Sequence, residues 1–233
     1  MGMIELRNVT KEYDLGEKKL IAADKINFTI EEGEFVVILG PSGAGKSTVL
    51  NLLGGMDYAS SGEILVKGQN IAAYDDDKLT QYRASEVGFI FQFYNLIPTL
   101  TALENVALTR NIVKNALDPV SVLEAVGLFE HLNKFPSQLS GGEQQRVSIA
   151  RAVCKNPTML LCDEPTGALD SETGVVILEL LQRMSREEHK TVIIVSHNAS
   201  LAQAADKVIR IKNGRITEIT VNEKPLDVSE VSW

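Results

Sequence analysis

Gly40-Pro41-Ser42-Gly43-Ala44-Gly45-Lys46-Ser47-Thr48 follows the spacing G-x-x-x-x-G-K-[ST], the pattern of a phosphate-binding P-loop. In such a loop, consecutive backbone N–H groups and the positive end of a helix dipole converge on phosphate oxygens. Glycines at 40, 43 and 45 keep side chains out of that approach. Lys46 would reach the outer phosphates, and the Ser47 hydroxyl would ligate Mg²⁺. A second chemical group ends the apolar run Met159-Leu160-Leu161-Cys162 with the carboxylates Asp163 and Glu164. Asp163 suits the Mg²⁺ shell, and Glu164 suits polarising a water that attacks a γ-phosphate. These groups establish a binder of nucleotide phosphates and leave open whether it is a kinase, a GTPase, a helicase or a transport ATPase.

Four further places could do chemistry. Ser140 looks like a helix N-cap with Glu143 three residues on, a capping box. Between them Gly141 and Gly142 leave first-turn N–H groups uncovered, a second anion-binding helix start. Gln92 stands at the end of a buried run, where polar residues leave a core strand towards a site or simply start a loop. His197 stands at another such end, structural or placed to hydrogen-bond a phosphate. Tyr13 lies in the turn-like stretch Lys11-Glu12-Tyr13-Asp14-Leu15-Gly16 and either stacks on a base or only packs.

The elements that must position these groups are legible in outline. Phe35–Leu39 is a buried strand, and Val49, Leu50, Leu52 and Leu53 give the following helix its apolar spacing before Gly54-Gly55 stops it. Residues 3–10, 18–30 and 62–67 read as strands of an antiparallel lobe beside the nucleotide core. Glu86–Phe91 is a further buried strand. From about Phe93 to Cys154 helical periodicity replaces strand-like runs, as in Thr101–Lys114 and Pro119–Val126. Ser171–Glu188 reads as a long amphipathic helix, Thr191–Val195 as a strand, and 206–220 as a hairpin around Asn213-Gly214. The expectation is an α/β fold with a mostly parallel core sheet, an antiparallel β lobe and an inserted helical lobe at about 93–154. One domain spans 1–222, followed by a polar tail, 223–233.

Of 233 residues, 44% are hydrophobic, enough for a sizeable core, and the net charge is −8. With a pI near 5.0 no global basic field draws in nucleic acid, and no nucleic-acid partner is expected. No apolar run approaches the roughly 18 residues of a membrane span, and the first residues lack a signal peptide's pattern. A soluble chain in the cytoplasm follows as the expectation. Cys154 and Cys162 fall in core segments and read as buried thiols.

Taken in order, the P-loop, Gln92, Leu139-Ser140-Gly141-Gly142-Glu143, Leu160–Glu164, Ala168-Leu169-Asp170 and His197 resemble the nucleotide-binding subunits of ATP-binding-cassette transporters. The match runs from Ile4 to about Ile219. The resemblance implies a P-loop NTPase core that binds ATP and Mg²⁺ and hydrolyses ATP. By the same resemblance, Tyr13 stacks on adenine, Gln92 ligates Mg²⁺ and senses the γ-phosphate, and Glu164 is the catalytic base. Asp170 crosses a dimer interface, His197 is the γ-phosphate switch, and Ser140–Glu143 meet the nucleotide of a second subunit. It implies as partners an integral-membrane permease and a second copy or close relative, and a place on the cytoplasmic face of the cell membrane.

Gly88–Val106 (GFIFQFYNLIPTLTALENV), Leu53–Asp57 and Asp163–Asp170 are similar to the lipoprotein-release and macrolide-export branch. Its permeases have few spans and a large external domain. The alternative is a regulatory cassette ATPase that signals to a cell-wall enzyme or sensor without moving a substrate. Soluble cassettes of DNA repair or translation carry a long coiled coil or two fused cassettes, and this chain has neither. Cys162 and Asn198 depart from the commoner residues at their positions without removing a group the mechanism requires.

Overall fold

The computed structural model describes residues 2–16 and 18–232. Its first sheet has four antiparallel strands in the order β2-β1-β4-β5: β1 (Ile4–Asp14), β2 (Lys19–Ile30), β4 (Ser61–Val66) and β5 (Gln69–Asn70). The second has six strands in the order β10-β9-β3-β8-β7-β6: β3 (Phe35–Leu39), β6 (Val87–Phe91), β7 (Met159–Asp163), β8 (Thr191–Ser196), β9 (Lys207–Lys212) and β10 (Arg215–Val221). All its pairings are parallel except β9–β10. The fold is α/β, with an antiparallel lobe, a mostly parallel core sheet and a helical lobe between β6 and β7.

The centre of the core sheet is covered on both faces, which is why β3, β7 and β8 are nearly continuous apolar runs. Side chains alternate across a strand, and the two hydrophobic clusters divide accordingly. Phe35, Val37 and Leu39 of β3, Leu160 and Cys162 of β7, and Val192 and Ile194 of β8 face one cluster. Val36 and Ile38, Met159 and Leu161, and Ile193 and Val195 face the other. The first cluster is closed by α5 (Gly141–Cys154) and α6 (Ser171–Arg186), with α3 (Ala102–Ala107) and α4 (Pro119–Ala125). The second is closed by α1 (Lys46–Leu53), α2 (Asp76–Ser85) and the antiparallel sheet.

Register sets the functional edge. Leu39 pairs with Ser196, Asp163 with Val195, and Phe91 with Asp163. Four parallel strands therefore end together, releasing the P-loop, His197, Glu164 and Gln92 along one edge. Ligand sites of open parallel sheets lie at this end.

Three expectations change in detail. The stretch around Tyr13 is not a loop but the end of β1, where Tyr13 pairs with Leu20 of the unusually long β2. The helix predicted at 101–114 is α-helical only to Ala107 and continues as a 3₁₀ turn to Asn111. There the Thr109 hydroxyl donates to the Val106 carbonyl at 2.8 Å, a local bond that competes with the helix ladder. Strand β7 stops at Asp163, one residue early, because Glu164 takes a left-handed φ of 47°.

Cys154 and Cys162 are fully buried and unpaired. Burial pushes both thiols up, Cys162 far more than Cys154. Near the C-terminus Val228 and Val231 enter the first cluster, and the buried Gln182 of α6 holds the segment by donating to Leu226 and accepting from the Val228 N–H. Among the described residues no helix is long and apolar enough to cross a membrane.

Candidate functional site

The P-loop forms one wall of a cleft of ≈ 510 Å³, lined by Tyr13, Leu20–Ala22, Ser42–Thr48, Glu164 and Asn213-Gly214. The reason for two of its glycines differs from the sequence expectation. A Cβ at Gly40 would overlap the Ile211 carbonyl, and one at Gly45 the Ala22 carbonyl. These positions are glycine because protein backbone, from β9 and β2, presses against the loop. Only Gly43, at φ 74° with open space around it, fits the idea of a clear approach for a ligand.

Two features make the cleft anion-seeking. Lys46 is 6% exposed, its Nζ donates to the Gly40 and Pro41 carbonyls at 2.8 and 3.0 Å, and among the described residues no carboxylate pairs with it. A buried ammonium with no carboxylate in contact, only the charge of Asp163 nearby, favours an incoming anion. Helix α1 begins from Gly45 with no side-chain cap and no acidic residue in its first turn. Its leading N–H groups and dipole are therefore left to a ligand.

Beside these donors lies a cation-seeking pair. The Ser47 hydroxyl donates to Asp163 Oδ1 at 3.1 Å. Burial pushes the Asp163 carboxyl up, and the neighbouring Glu164 adds to that while Ser47 and the Lys46 charge oppose it. A divalent cation here would relieve that cost. A hydroxyl and one carboxylate are a sparse donor set, which suits Mg²⁺, an ion that keeps waters and takes substrate phosphates. The residues present thus fit the ion.

Glu164 follows on the same turn. Its N–H donates to the Val195 carbonyl at 2.9 Å, and its Oε1 lies 3.1 Å from His197 Nδ1. The left-handed backbone of Glu164, uncommon for a non-glycine residue, re-aims its side chain from the strand direction into both the P-loop cleft and a smaller cavity with His197 and Asp170.

The other expected residues stand apart from the P-loop cleft. Gln92 lies with its side chain against Gly167, in the loop after Glu164. Asp170 caps α6, accepting from the Thr173 N–H at 2.9 Å and the Thr173 hydroxyl at 2.8 Å. These bonds, the backbone one foremost, hold its carboxyl below the usual range. Helix α5 starts with the expected box. Ser140 Oγ accepts from Glu143 N at 3.3 Å, and Glu143 Oε2 accepts from Ser140 N at 2.7 Å. Its second glycine has a packing reason as well, since a Cβ at Gly142 would overlap the Thr173 methyl. None of Ser140–Glu143 lines the cleft.

Sequence reasoning missed Lys11 and Asp57, which hold Tyr13. The i, i+2 spacing of Lys11 and Tyr13 was a usable signal once the stretch is a strand. Asp57 carried none. A separate concavity of ≈ 540 Å³ around Tyr74 and Tyr82 contains none of the expected residues.

A profile described as "ABC transporter" matches residues 23–167. The chain is 45% identical over 223 residues to the uncharacterized ABC transporter ATP-binding protein MJ0796 of Methanocaldococcus jannaschii, covering 92% of this chain and 95% of that one. It is 40% identical over 223 residues to the macrolide export ATP-binding/permease protein MacB of Syntrophobacter fumaroxidans, covering 93% of this chain but only 31% of that one. The dimeric structure of a post-hydrolysis state of the ATP-binding cassette MJ0796 bound to ADP and Pi matches with a TM-score of 0.86 at 42% identity, over 94% of this chain and 98% of that one.

Proposed function

The chain belongs to the ABC transporter family, and on that premise we propose that it is the ATP-hydrolysing subunit of a membrane transporter, closing as a dimer on ATP to drive a permease of the macrolide-export or lipoprotein-release type. The observation that carries the reading is the meeting, on one sheet edge, of a buried Lys46 with no carboxylate in contact, an uncapped helix start, the Ser47–Asp163 pair and the Glu164–His197 pair. Anion, cation and attacking water each find their group there.

In this reading the P-loop N–H groups and Lys46 hold the phosphates of ATP, and Tyr13 receives the base. Ser47, Asp163 and Gln92 would hold Mg²⁺, whose positive charge would offset the negative charge of the phosphates. Glu164 accepts a proton from the water that attacks the γ-phosphorus. The bond to the β–γ bridging oxygen breaks, giving ADP and inorganic phosphate. His197 hydrogen-bonds the γ-phosphate and orients Glu164 through the 3.1 Å contact.

Ser140–Glu143 do not line this chain's own P-loop cleft, so in this reading a second cassette supplies that helix start, and Asp170 lies on the surface between the two. The likeness to a dimeric cassette and the name of the MacB relative support this assembly. Sites on the helical lobe would meet the permease, placing the subunit at the cytoplasmic face.

The test uses tagged Glu164→Gln protein with Mg-ATP to capture partners from detergent-solubilised native membranes. A permease with few spans and a large external domain is expected. A many-span permease would sink the branch assignment, and soluble factors alone, with a control permease intact, would sink the transporter reading.

A further inference from the structure

Tyr13 is not held by its own strand alone. Lys11 and Tyr13 are two residues apart on β1, so their side chains leave the same face. Lys11 Nζ sits over the Tyr13 ring, 4.8 Å from its centroid. The same ammonium lies 2.6 Å from Asp57 Oδ1 and donates to the Tyr58 carbonyl at 2.9 Å. The Tyr13 hydroxyl donates to the other carboxylate oxygen, Asp57 Oδ2, at 2.7 Å. The ring is thereby tethered at its hydroxyl and covered by a cation on one face, so that one face alone remains for a flat ligand, and Tyr13 lines the cleft.

Asp57 lies just past α1, the helix that begins at Lys46. The Met56 N–H donates to the Asn51 carbonyl at 2.8 Å, so the turn carrying Asp57 is fastened to that helix. One short rigid element therefore fixes both the phosphate loop and the anchor of the Tyr13 ring. Lys11 and Asp57 side chains are only 12% and 23% exposed. Burial opposes ionisation of Asp57, but the bonds from Lys11 and Tyr13 outweigh it and hold the carboxyl below its usual range.

We propose that Lys11 and Asp57 are positioning residues that fix the free face of Tyr13 at a set distance from the P-loop, and so set how tightly the base of a nucleotide is held. The proposal rests on Tyr13 being the base platform. A ring already locked before binding loses no rotational freedom when a base stacks on it, which raises affinity without touching the phosphate contacts.

The experiment compares binding of ADP and of inorganic pyrophosphate, each with Mg²⁺, to the full chain by calorimetry. Pyrophosphate occupies the phosphate loop alone and reports its integrity. With Asp57→Ala, ADP binding is expected to weaken about three- to tenfold, the scale of one aromatic contact, with pyrophosphate within about twofold. Lys11→Met, which keeps the aliphatic stem, should shift ADP in the same direction by less. Asp57→Ala in a Tyr13→Phe background should add little, because both changes cut the same bond.

Equal losses for ADP and pyrophosphate would reduce the pair to a brace of the fold and overturn the proposal, as would full additivity of Tyr13→Phe and Asp57→Ala. Tyr13→Ala that leaves the ADP-to-pyrophosphate ratio unchanged would remove the base platform itself. Tyr13→Ala that lowers the ratio while Asp57→Ala and Lys11→Met do not would spare the platform and sink only the clamp.

Discussion

Helices α1 and α5 both start at glycines, Gly45 as the N-cap of one and Gly141 as the first residue of the other, yet their first turns are prepared differently. At α1 no side chain caps the leading N–H groups, and a buried lysine without a carboxylate waits beside them. At α5 the chain supplies its own cap through Ser140 and Glu143, and Gly142 is pressed against Thr173 rather than opened to a cavity. The first start is unsatisfied within its own chain and collects the reactive groups around it. The second is self-sufficient as a helix end and offers only what its glycines leave free. On the reading proposed above, a site that needs both starts is split into an incomplete half and a stable half, and its completion would depend on assembly.

The largest effect that would sharpen this contrast concerns turnover alone. Glu164→Gln keeps the shape of the first half and removes its proposed base. Phosphate release should fall at least about a hundredfold, the lower range for general-base loss. ATP affinity should persist, and a dimer should accumulate on a sizing column run in ATP. Normal hydrolysis by this variant would remove Glu164 from its role.

Lys46→Met asks whether the first half is truly unsatisfied. Nucleotide affinity should drop at least about tenfold, because a charge-assisted bond to phosphate is lost. Without nucleotide, thermal stability should hold or rise, since a buried cation lacking a carboxylate has been removed. A clear fall in the apo melting temperature would show that the loop carbonyls, not a ligand, are the lysine's main purpose.

Gly142→Ala probes the second half. The overlap with the Thr173 methyl should destabilise the chain by about 1–3 kcal/mol. Thr173→Ser deletes that methyl while keeping a hydroxyl for Asp170, so the double variant should regain most of the loss in urea unfolding. If stability returns but ATP turnover does not, the glycine serves the assembled site as well as the packing.

The smallest effect is a matter of pH. The Ser140 N–H, its leading cause, lowers the Glu143 carboxyl below its usual 4.5. That contribution is full above pH 4.5 and is lost as pH falls through the lower folded value. Glu143→Gln should flatten this acid limb by roughly a few tenths of a kcal/mol, the side chain being about one-fifth exposed at a helix start where solvent screens it in part.

Much of the fold was legible because its signals are local. The apolar runs of β3, β7 and β8, the Asn213-Gly214 turn and the Ser140 capping box are short-range patterns, and the structure carries each of them. What was not legible depends on partners distant in sequence. Tyr13 looked like a loop residue because Lys11–Gly16 is polar, and only pairing with an extended β2 makes it a strand. The glycines at 40 and 45 were given a ligand-based reason, whereas carbonyls of Ile211 and Ala22 supply a packing one. The left-handed turn at Glu164 had no sequence signal, since glutamate gives no hint of positive φ. The contact between Glu164 and His197 joins residues that follow different strands, and only the register of β7 against β8 brings them together.

The two cysteines carry a practical consequence. Both are fully buried and unpaired, and burial raises their thiols, so neither offers an accessible thiolate. To a maleimide reagent the folded chain is close to silent without any substitution. A single cysteine placed at exposed Glu172, at the start of the helix that Asp170 caps, would then be the only reactive handle. A spin label or fluorophore there could follow the meeting of two cassettes in an otherwise native chain.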